Sequence, residues 1–530
     1  MKKTLKKVLT LTLALCSVMT MTLTAFADEP YETYNYDSWD ETIPSQSGYI
    51  AKKTVTGKEI GLDKLATPGD PLFVSENAAV ELSGAKDFFL DDEAKEFWVA
   101  DTANNRILRL DINLNVIGRY YGVTGKSEVN VDKTGLSRFN TPSGIYVAKS
   151  AITGDLMMYV ADMENDRIVK AKVTSPTECV LVQEYFKPEE AVYEAKTFKP
   201  SKVIADNAEN VYAVVNSVNT GAVQFSKNGN FTGFYGANRV EVTASVIADK
   251  LWRKIASNDQ IAGMSRNVPS EFANFDIDDD GFIYTVTEIA SEGGTDAVKK
   301  LNPAGYNIWD NEAGDEYEFG DVQSTQNLDT KQTLQTKLTD IVVSNNGLIS
   351  VLDFETGRIF QYDKLCNLVC IFGGKNSAHQ KGSFSAPNAI EALDNNVYVI
   401  DGVKNDITVF EETTFGSVLH EAYLLYGEGK YVQAEPYWNE VIARDGGYTS
   451  AYVGLGKAAL NNNDYSAAKK HFKVAYDQKD YNKAFEYSRE IFLRDNFTVI
   501  IIIVLAVIIL WIVIKKLLNK RKLNKAKEGK

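Results

Sequence analysis

The chain has 530 residues with 71 acidic and 57 basic side chains, and its charge is unevenly spread: four basic residues lie in the first 27 positions and eight between 515 and 530, against one acid there, Glu528. Residues 28–496 therefore keep 45 basic and 70 acidic side chains, about −25, which repels nucleic acid and other anionic polymers within a Debye length of about 8 Å and excludes nucleic-acid binding. After residue 27 only Cys179, Cys366 and Cys370 remain, so this is not a disulfide framework.

Residues 1–27 read as a secretory signal. Lys2, Lys3, Lys6 and Lys7 precede an apolar run from Val8 to Leu23, and Ala25-Phe26-Ala27 supplies the small-x-small cleavage pattern. Lipidation at Cys16 is the rival reading, but Leu15 stands where that processing needs a small residue. Segment 28–80 follows. Within it, 49–60 (YIAKKTVTGKEI) reads as a strand with no local partner.

From 81 to 416 one phrase recurs: a polar turn, an apolar strand carrying an aromatic, an Asp, a short polar loop, then Arg-Ile. It appears as Phe97-Trp98-Val99-Ala100-Asp101 with Arg106-Ile107, as Tyr159-Val160-Ala161-Asp162 with Arg167-Ile168, and as Val351-Leu352-Asp353 with Arg358-Ile359. Tyr398-Val399-Ile400-Asp401 keeps the spacing but places Asp406 where Arg stood, and weaker copies sit at Val211-Tyr212 and Ile283-Tyr284. The five intervals from Asp101 to Asp401 average 60 residues, long for a propeller blade, so the connecting loops must be long. Trp98 aligns with Tyr159, Tyr212, Tyr284 and Tyr398, which makes it a core residue.

These residues resemble the NHL-repeat family of β-propellers. So do the openings of two copies, Arg138-Phe139-Asn140-Thr141-Pro142-Ser143-Gly144-Ile145 and Gly382-Ser383-Phe384-Ser385-Ala386-Pro387-Asn388. The expected fold is mainly β, a six-bladed propeller of four-stranded antiparallel blades over 81–416. The last copy holds only three strands, so the segment at 49–60 is expected to add its outer strand and close the ring. The resemblance also implies that Asp101/Arg106, Asp162/Arg167 and Asp353/Arg358 brace the loop between second and third strands rather than contact a ligand.

Asp276-Ile277-Asp278-Asp279-Asp280-Gly281 matches the front half of a calcium loop, yet Thr287 stands at position twelve, where calcium needs a bidentate Glu. Other copies place a hairpin turn there, for example Asn345-Asn346-Gly347, and a turn is the better reading. A structural or central calcium held by scattered Asp, Glu and Asn near the channel stays open. Whether Cys366 and Cys370 pair also stays open: an extended chain holds them about 13 Å apart, but a bulge or turn could bring them together. Histidine is scarce, with His379 in the propeller and His420 and His471 beyond it. Propeller lactonases and lyases of similar fold use carboxylate-held divalent metal or inner-face histidines, and this sequence offers no His pair. The loops 122–141, 237–270 and 311–338 share a face with the Asp-to-Arg loops, and the second should carry a helix at 240–257. Long loops on a rigid scaffold make that face the candidate for ligand or partner contact, through Arg138, Asn140, Trp252, Arg266, Asn267 and His379.

Beyond the propeller the period becomes 34 residues: Tyr431 and Tyr465, Ala434 and Ala468, Trp438 and Phe472, Ala422 and Gly456. This resembles the tetratricopeptide repeat and implies paired helices over 417–495, too few repeats to stand alone without a partner surface. Residues 497–514 then form an uncharged run of 18, about 27 Å as a helix and enough to span a bilayer. The basic tail 515–530 holds its end in the cytoplasm by the positive-inside rule. The sequence thus describes a single-pass protein of the cell membrane, with the N-terminus outside. Its ectodomain is expected to bind a small molecule, a glycan or a cell-surface protein, in the setting of an accessory to a membrane transport or envelope assembly. The alternative is a metal-dependent lactonase- or lyase-like enzyme acting on an extracellular small molecule.

Overall fold

A computed structural model describes residues 31–528 except 194, 196, 237–271, 279, 288–296, 310–316, 318, 322–324, 327–332, 335 and 376–379. They fall into two units: one runs to Asn35 and from Pro44 to Ser417, and the other joins Tyr36–Ile43 to the chain from Val418 onward.

In the first unit every copy of the repeated phrase becomes the second strand of an antiparallel sheet. These strands (Glu96–Asp101, Leu156–Asp162, Val211–Val215, Ile283–Thr287, Ile349–Asp353 and Asn396–Asp401) are buried along almost their whole length. Neighbouring blades cover both their faces, which is why they read as continuous apolar runs rather than as alternation. Five sheets have four strands and the fourth has three among the described residues. The inner strands are Asp87–Asp91, Pro142–Lys149, Pro200–Ala205, Phe272–Ile277, Leu338–Val343 and Pro387–Leu393. Each lies beside the inner strand of the next blade, and the sixth returns to the first. The fold is a six-bladed β-propeller. Tyr49–Thr56 occupies the outer position of the sixth sheet, antiparallel to Asp406–Glu412, with Tyr49 opposite Glu412 and Thr56 opposite Asp406.

Aromatic contacts hold the blades face to face. Phe97 of blade one meets Tyr398 of blade six at 4.6 Å between ring centroids. Trp98 is fully buried beside Tyr120 in the layer between blades one and two. Short hairpins close on aspartates. Asp206 and Asp278 each accept the amide four residues on, at 2.8 Å, and also the hydroxyl of Tyr212 or Tyr284 at 3.1 Å. Asp278 thus makes a hairpin turn, while Asp276 belongs to the inner strand; Asp279 lies outside the described residues. Cys179, Cys366 and Cys370 are all free thiols.

The second unit is helical: most of Thr414–Gly427, then Tyr431–Arg444, Thr449–Asn461, Tyr465–Val474, Gln478–Asp495 and Phe497–Glu528. From Tyr431–Arg444 to Gln478–Asp495 each helix packs on the next. Small residues permit that approach. A Cβ on Gly454 would fall 2.2 Å from the Trp438 indole, and one on Gly456 2.4 Å from the Phe472 ring. Asp464 and Asp477 cap two of the helices by accepting the amides of Ala467 and Asp480 at 2.9 Å. The stretch Phe497–Arg521 of the last helix has a mean hydropathy of 3.5 and none of it is buried, so it is long and apolar enough to cross a membrane.

Candidate functional site at the channel mouth

An inner strand is the edge of its sheet, and its unpaired amides face the channel, where each needs a partner. Acidic side chains supply them. Asp87 of blade one accepts the Ile145 amide of blade two at 2.7 Å, Asp276 of blade four the Val343 amide of blade five at 2.9 Å, and Asp340 of blade five the Ile390 amide of blade six at 2.8 Å. The Leu90 amide of blade one lies beside Glu391 of blade six in the same relation. Asn274 donates its side-chain amide to Asp340 as well. Blade three contributes a cation. Lys202 reaches past blade two to Asp87 and to the Lys86 carbonyl, 3.2 Å away. Gly144 lets it pass, since a Cβ there would lie 2.8 Å from the Lys202 Cα.

These groups share one low-dielectric space. Burial pushes the Asp340 carboxyl up to about 7, with Lys202 pulling it down and Asp87 pushing it further up. Burial also raises Asp276 to about 6, against the Val343 and Ile277 amides that favour its charged form. Glu391 keeps some exposed surface toward the channel, yet protein surrounds it. Burial, then the carboxylates of Asp276, Asp340 and Asp87, hold it well above the usual carboxylate range. Burial alone would lower Lys202, but Asp87 and Asp340 outweigh it and its pKa rises. Each clasping carboxylate faces a backbone amide of the next blade. Among the described residues no three His, Cys, Asp or Glu side chains converge as metal ligands.

Above the acidic layer the strands open into a cavity. In blades two to six the pairing of first and second strands slips by one residue at the same place, between Pro142 and Gly144, Pro200 and Lys202, Phe272 and Asn274, Leu338 and Asp340, and Pro387 and Ala389. The bulged residue is Ser143, Ser201, Ala273, Thr339 or Asn388, and a bulge re-aims the side chain it carries. Four of the five line a cavity of ≈ 270 Å³, with Lys86, Lys202, Lys337, Asn216, Met163 and Phe354. The hydroxyls of Ser143 and Ser201 donate to the carbonyls of Pro200 and Val214 at 3.0 and 3.3 Å, so their lone pairs remain to accept. Beneath this cavity the space between the inner strands shrinks to ≈ 20 Å³, room for about one water.

The residues singled out from sequence fare differently. Asp101 and Arg106 form a fully buried ion pair at 2.6 Å, and Arg106 also donates to the carbonyls of Ala79 and Glu81 at 2.7 and 3.0 Å. Asp162 and Arg167 repeat it at 2.8 Å. Each pair fastens the loop after the second strand to the segment entering the same blade. Blade five departs from the expectation. Arg358 pairs with Asp321 instead, while Asp353 takes the Thr356 hydroxyl at 2.6 Å and the Lys337 and Glu355 amides at 2.8 and 2.9 Å. Thr356 fills the place where Asn104 and Asn165 stand, and with three donors Asp353 has no need of the guanidinium.

Arg138 and Asn140 do not line the cavity. Arg138 pairs with Asp132 at 2.6 Å on the surface, and the Asn140 amide donates to Asp162 at 2.7 Å, so both support the second blade's loop. Trp252, Arg266, Asn267, His379 and the expected helix at 240–257 lie outside the described residues, as do the signal segment and Cys16. The cavity residues were missed because a lysine or serine in a strand pattern reads as a solvent-facing position. Stacking the strand openings Lys86-Asp87, Ser143-Gly144, Ser201-Lys202, Thr339-Asp340 and Asn388-Ala389 would have exposed the polar column.

The sequence matches no protein-family model and no curated protein sequence. Solved structures of similar shape include virginiamycin B lyase from Staphylococcus aureus, at 11% identity over 62% of this chain and 96% of that one, with a TM-score of 0.36. A Bacteroides thetaiotaomicron protein described as the extracellular domain of a hybrid two-component system is similar at 13% identity, over 61% of this chain and 33% of that one, with a TM-score of 0.31. A luciferin-regenerating enzyme is similar at 10% identity, over 62% of this chain and 90% of that one, with a TM-score of 0.33. Likeness at this level carries no functional argument, and the fold assignment rests on the chain's own sheets.

Proposed function

We propose that this protein is a membrane-anchored, extracytoplasmic recognition module. Its NHL-type propeller takes a small ligand at the channel mouth. Its tetratricopeptide-like helices offer a docking surface to a protein partner of the membrane or cell surface. Phe497–Arg521 is the span, with the propeller outside and the lysine-rich end in the cytoplasm. Such an arrangement suits an accessory subunit of a transport or envelope assembly.

The observation that carries the recognition reading is the cavity lined by four bulged residues on four different blades. A bulge recurring at one height around a ring re-aims polar side chains inward, and convergent polar groups in a preformed cleft are the signature of a ligand site. The test is to fill it. The full-length chain in detergent, exposed to a panel of small metabolites and cell-surface glycans, should retain a subset that Thr339→Trp loses while its melting temperature stays near wild type. Equal retention by both proteins, or none by wild type, would sink the reading.

A further inference from the structure

Segment Tyr36–Ile43 lies far ahead of the helices in the chain yet belongs to the same unit. It folds around Asp37. One Asp37 carboxylate oxygen accepts the Trp39 and Glu41 amides at 2.8 and 3.0 Å, and the Asp37 amide donates to the Glu41 carbonyl at 3.0 Å. The Ser38 hydroxyl donates to the Ala475 carbonyl at 2.7 Å, just past the helix Tyr465–Val474. Trp39 is thereby set against Tyr476, with 4.3 Å between ring centroids and 59° between ring planes. Tyr476 is held as well. Its φ of 55° is the left-handed conformation that glycine usually takes after a helix, and the Tyr476 and Asp477 amides donate to the Lys473 and Phe472 carbonyls at 3.3 and 2.9 Å.

Fixed from both sides, Trp39 and Tyr476 are still 61% and 63% exposed. Core packing does not account for them, since the same unit buries Trp438 and Phe472 almost completely. The surroundings lean to one sign. Residues 36–43 and 473–480 together hold five acids and two lysines. Among the described residues neither Asp37 nor Glu41 meets a basic side chain. An aromatic face carries a negative quadrupole, so rings and carboxylates here attract the same kind of ligand, a cation. We propose that Trp39 and Tyr476, with Asp37 and Glu41 in the same turn, form a docking ledge for an arginine-bearing segment of a protein partner. This rests on the docking reading above and specifies the partner's chemistry. A guanidinium suits the ledge better than an ammonium, because it is planar and weakly hydrated and stacks on a ring while its N–H groups reach a carboxylate.

The experiment is titration calorimetry of the full-length chain in detergent with a Gly-Ser peptide carrying three arginines. It is set against the same peptide with citrulline or glutamate at those positions, and against chitotetraose. The arginine peptide should bind about tenfold or more tightly than its citrulline counterpart, the span expected for charge-assisted hydrogen bonds, and should weaken as salt rises. Trp39→Ala should weaken it about fivefold, as loss of a cation–π contact does, and Trp39→Phe should recover part of that. Glu41→Gln should weaken it too, and all three variants should melt as wild type does. Other acidic surfaces also attract arginine, so the difference between wild type and Trp39→Ala is the measurement that assigns the site. Citrulline peptide or chitotetraose binding as tightly as the arginine peptide, an affinity that Trp39→Ala leaves unchanged, or no binding by any probe overturns the ledge. Cross-linking at the cell surface decides the docking reading separately. A partner captured equally by wild type and Trp39→Ala leaves that reading standing without the ledge, and no partner at all removes both.

Discussion

At the scale of single residues the Asp–Arg pairs repeat a costly arrangement for a reason. Asp101 and Arg106 are both fully buried, and burial raises the Asp101 carboxyl despite the guanidinium beside it. A buried pair adds little net stability, but removing one partner strands the other. Arg106→Met should therefore lower unfolding free energy by about 3–5 kcal/mol, read from denaturant titration, while Asp101→Asn with Arg106→Met together should recover much of it. A single-variant loss under about 1 kcal/mol would mean that the loop is braced by backbone contacts alone. The phrase was legible because Asp and Arg stand five apart around a tight loop whose left-handed residue is Asn105 in blade one and Asp166 in blade two. What could not be read was the blade-five exchange, because Asp321 comes from a connecting loop 37 positions before Arg358 and no local spacing announces it. Lys86, Lys202 and Lys337 escaped for a related reason. Their meaning depends on which side chains a bulge turns inward, and a bulge leaves no period in the sequence.

At the scale of elements, each blade is a sheet with two edges to protect. The inner edges of blades one, two, five and six are covered by carboxylates of the preceding blade, and the outer strand of blade six, Tyr49–Thr56, is supplied from far earlier in the chain. Repeats, aromatic columns and a strand without local partners made the ring legible, since all three are patterns of sequence order. The clasps were not, because three of them join residues about 50 to 70 positions apart, as Asp340 and Ile390 or Asp276 and Val343 do, and Glu391 and Leu90 stand about 300 apart. The strand carries a consequence. Adjacent residues of a strand point their amides to opposite sides, so replacing both Thr54 and Val55 with proline removes at least one ladder bond to Asp406–Glu412 whichever way they face. The double variant should melt at a lower temperature by at least about 1 kcal/mol of stability. It should also self-associate with rising concentration in light scattering, as an uncovered strand edge does. Wild-type melting and monodispersity together would show that the ring does not depend on this strand.

At the scale of the whole propeller, the buried acids act as one titrating set. Asp340 is raised to about 7, and Asp276 and Asp406 to about 6, each chiefly by burial; Asp401 also raises Asp406, with Lys404 pulling it back down. A carboxyl whose folded pKa exceeds its unfolded value binds its proton more tightly when folded. The stability it contributes is fully present below the unfolded pKa near 4 and is lost as pH rises through the folded pKa, so the window runs from about 4 to 7. Exposed Asp132, lowered to about 2 by its hydrogen bonds, acts only below that window. His471, lowered by burial, works in the opposite sense but belongs to the helical unit. The propeller's calorimetric transition should therefore move to lower temperature as pH rises from 5 to 8. Asp340→Asn should lower the melting temperature throughout, by losing one clasp, and yet flatten its fall between pH 6 and 8. A transition that rises over this range, or a slope that Asp340→Asn leaves unchanged, would mean that water entering the channel solvates these carboxylates and that the inner ring is not the low-dielectric layer on which the floor of the cavity depends.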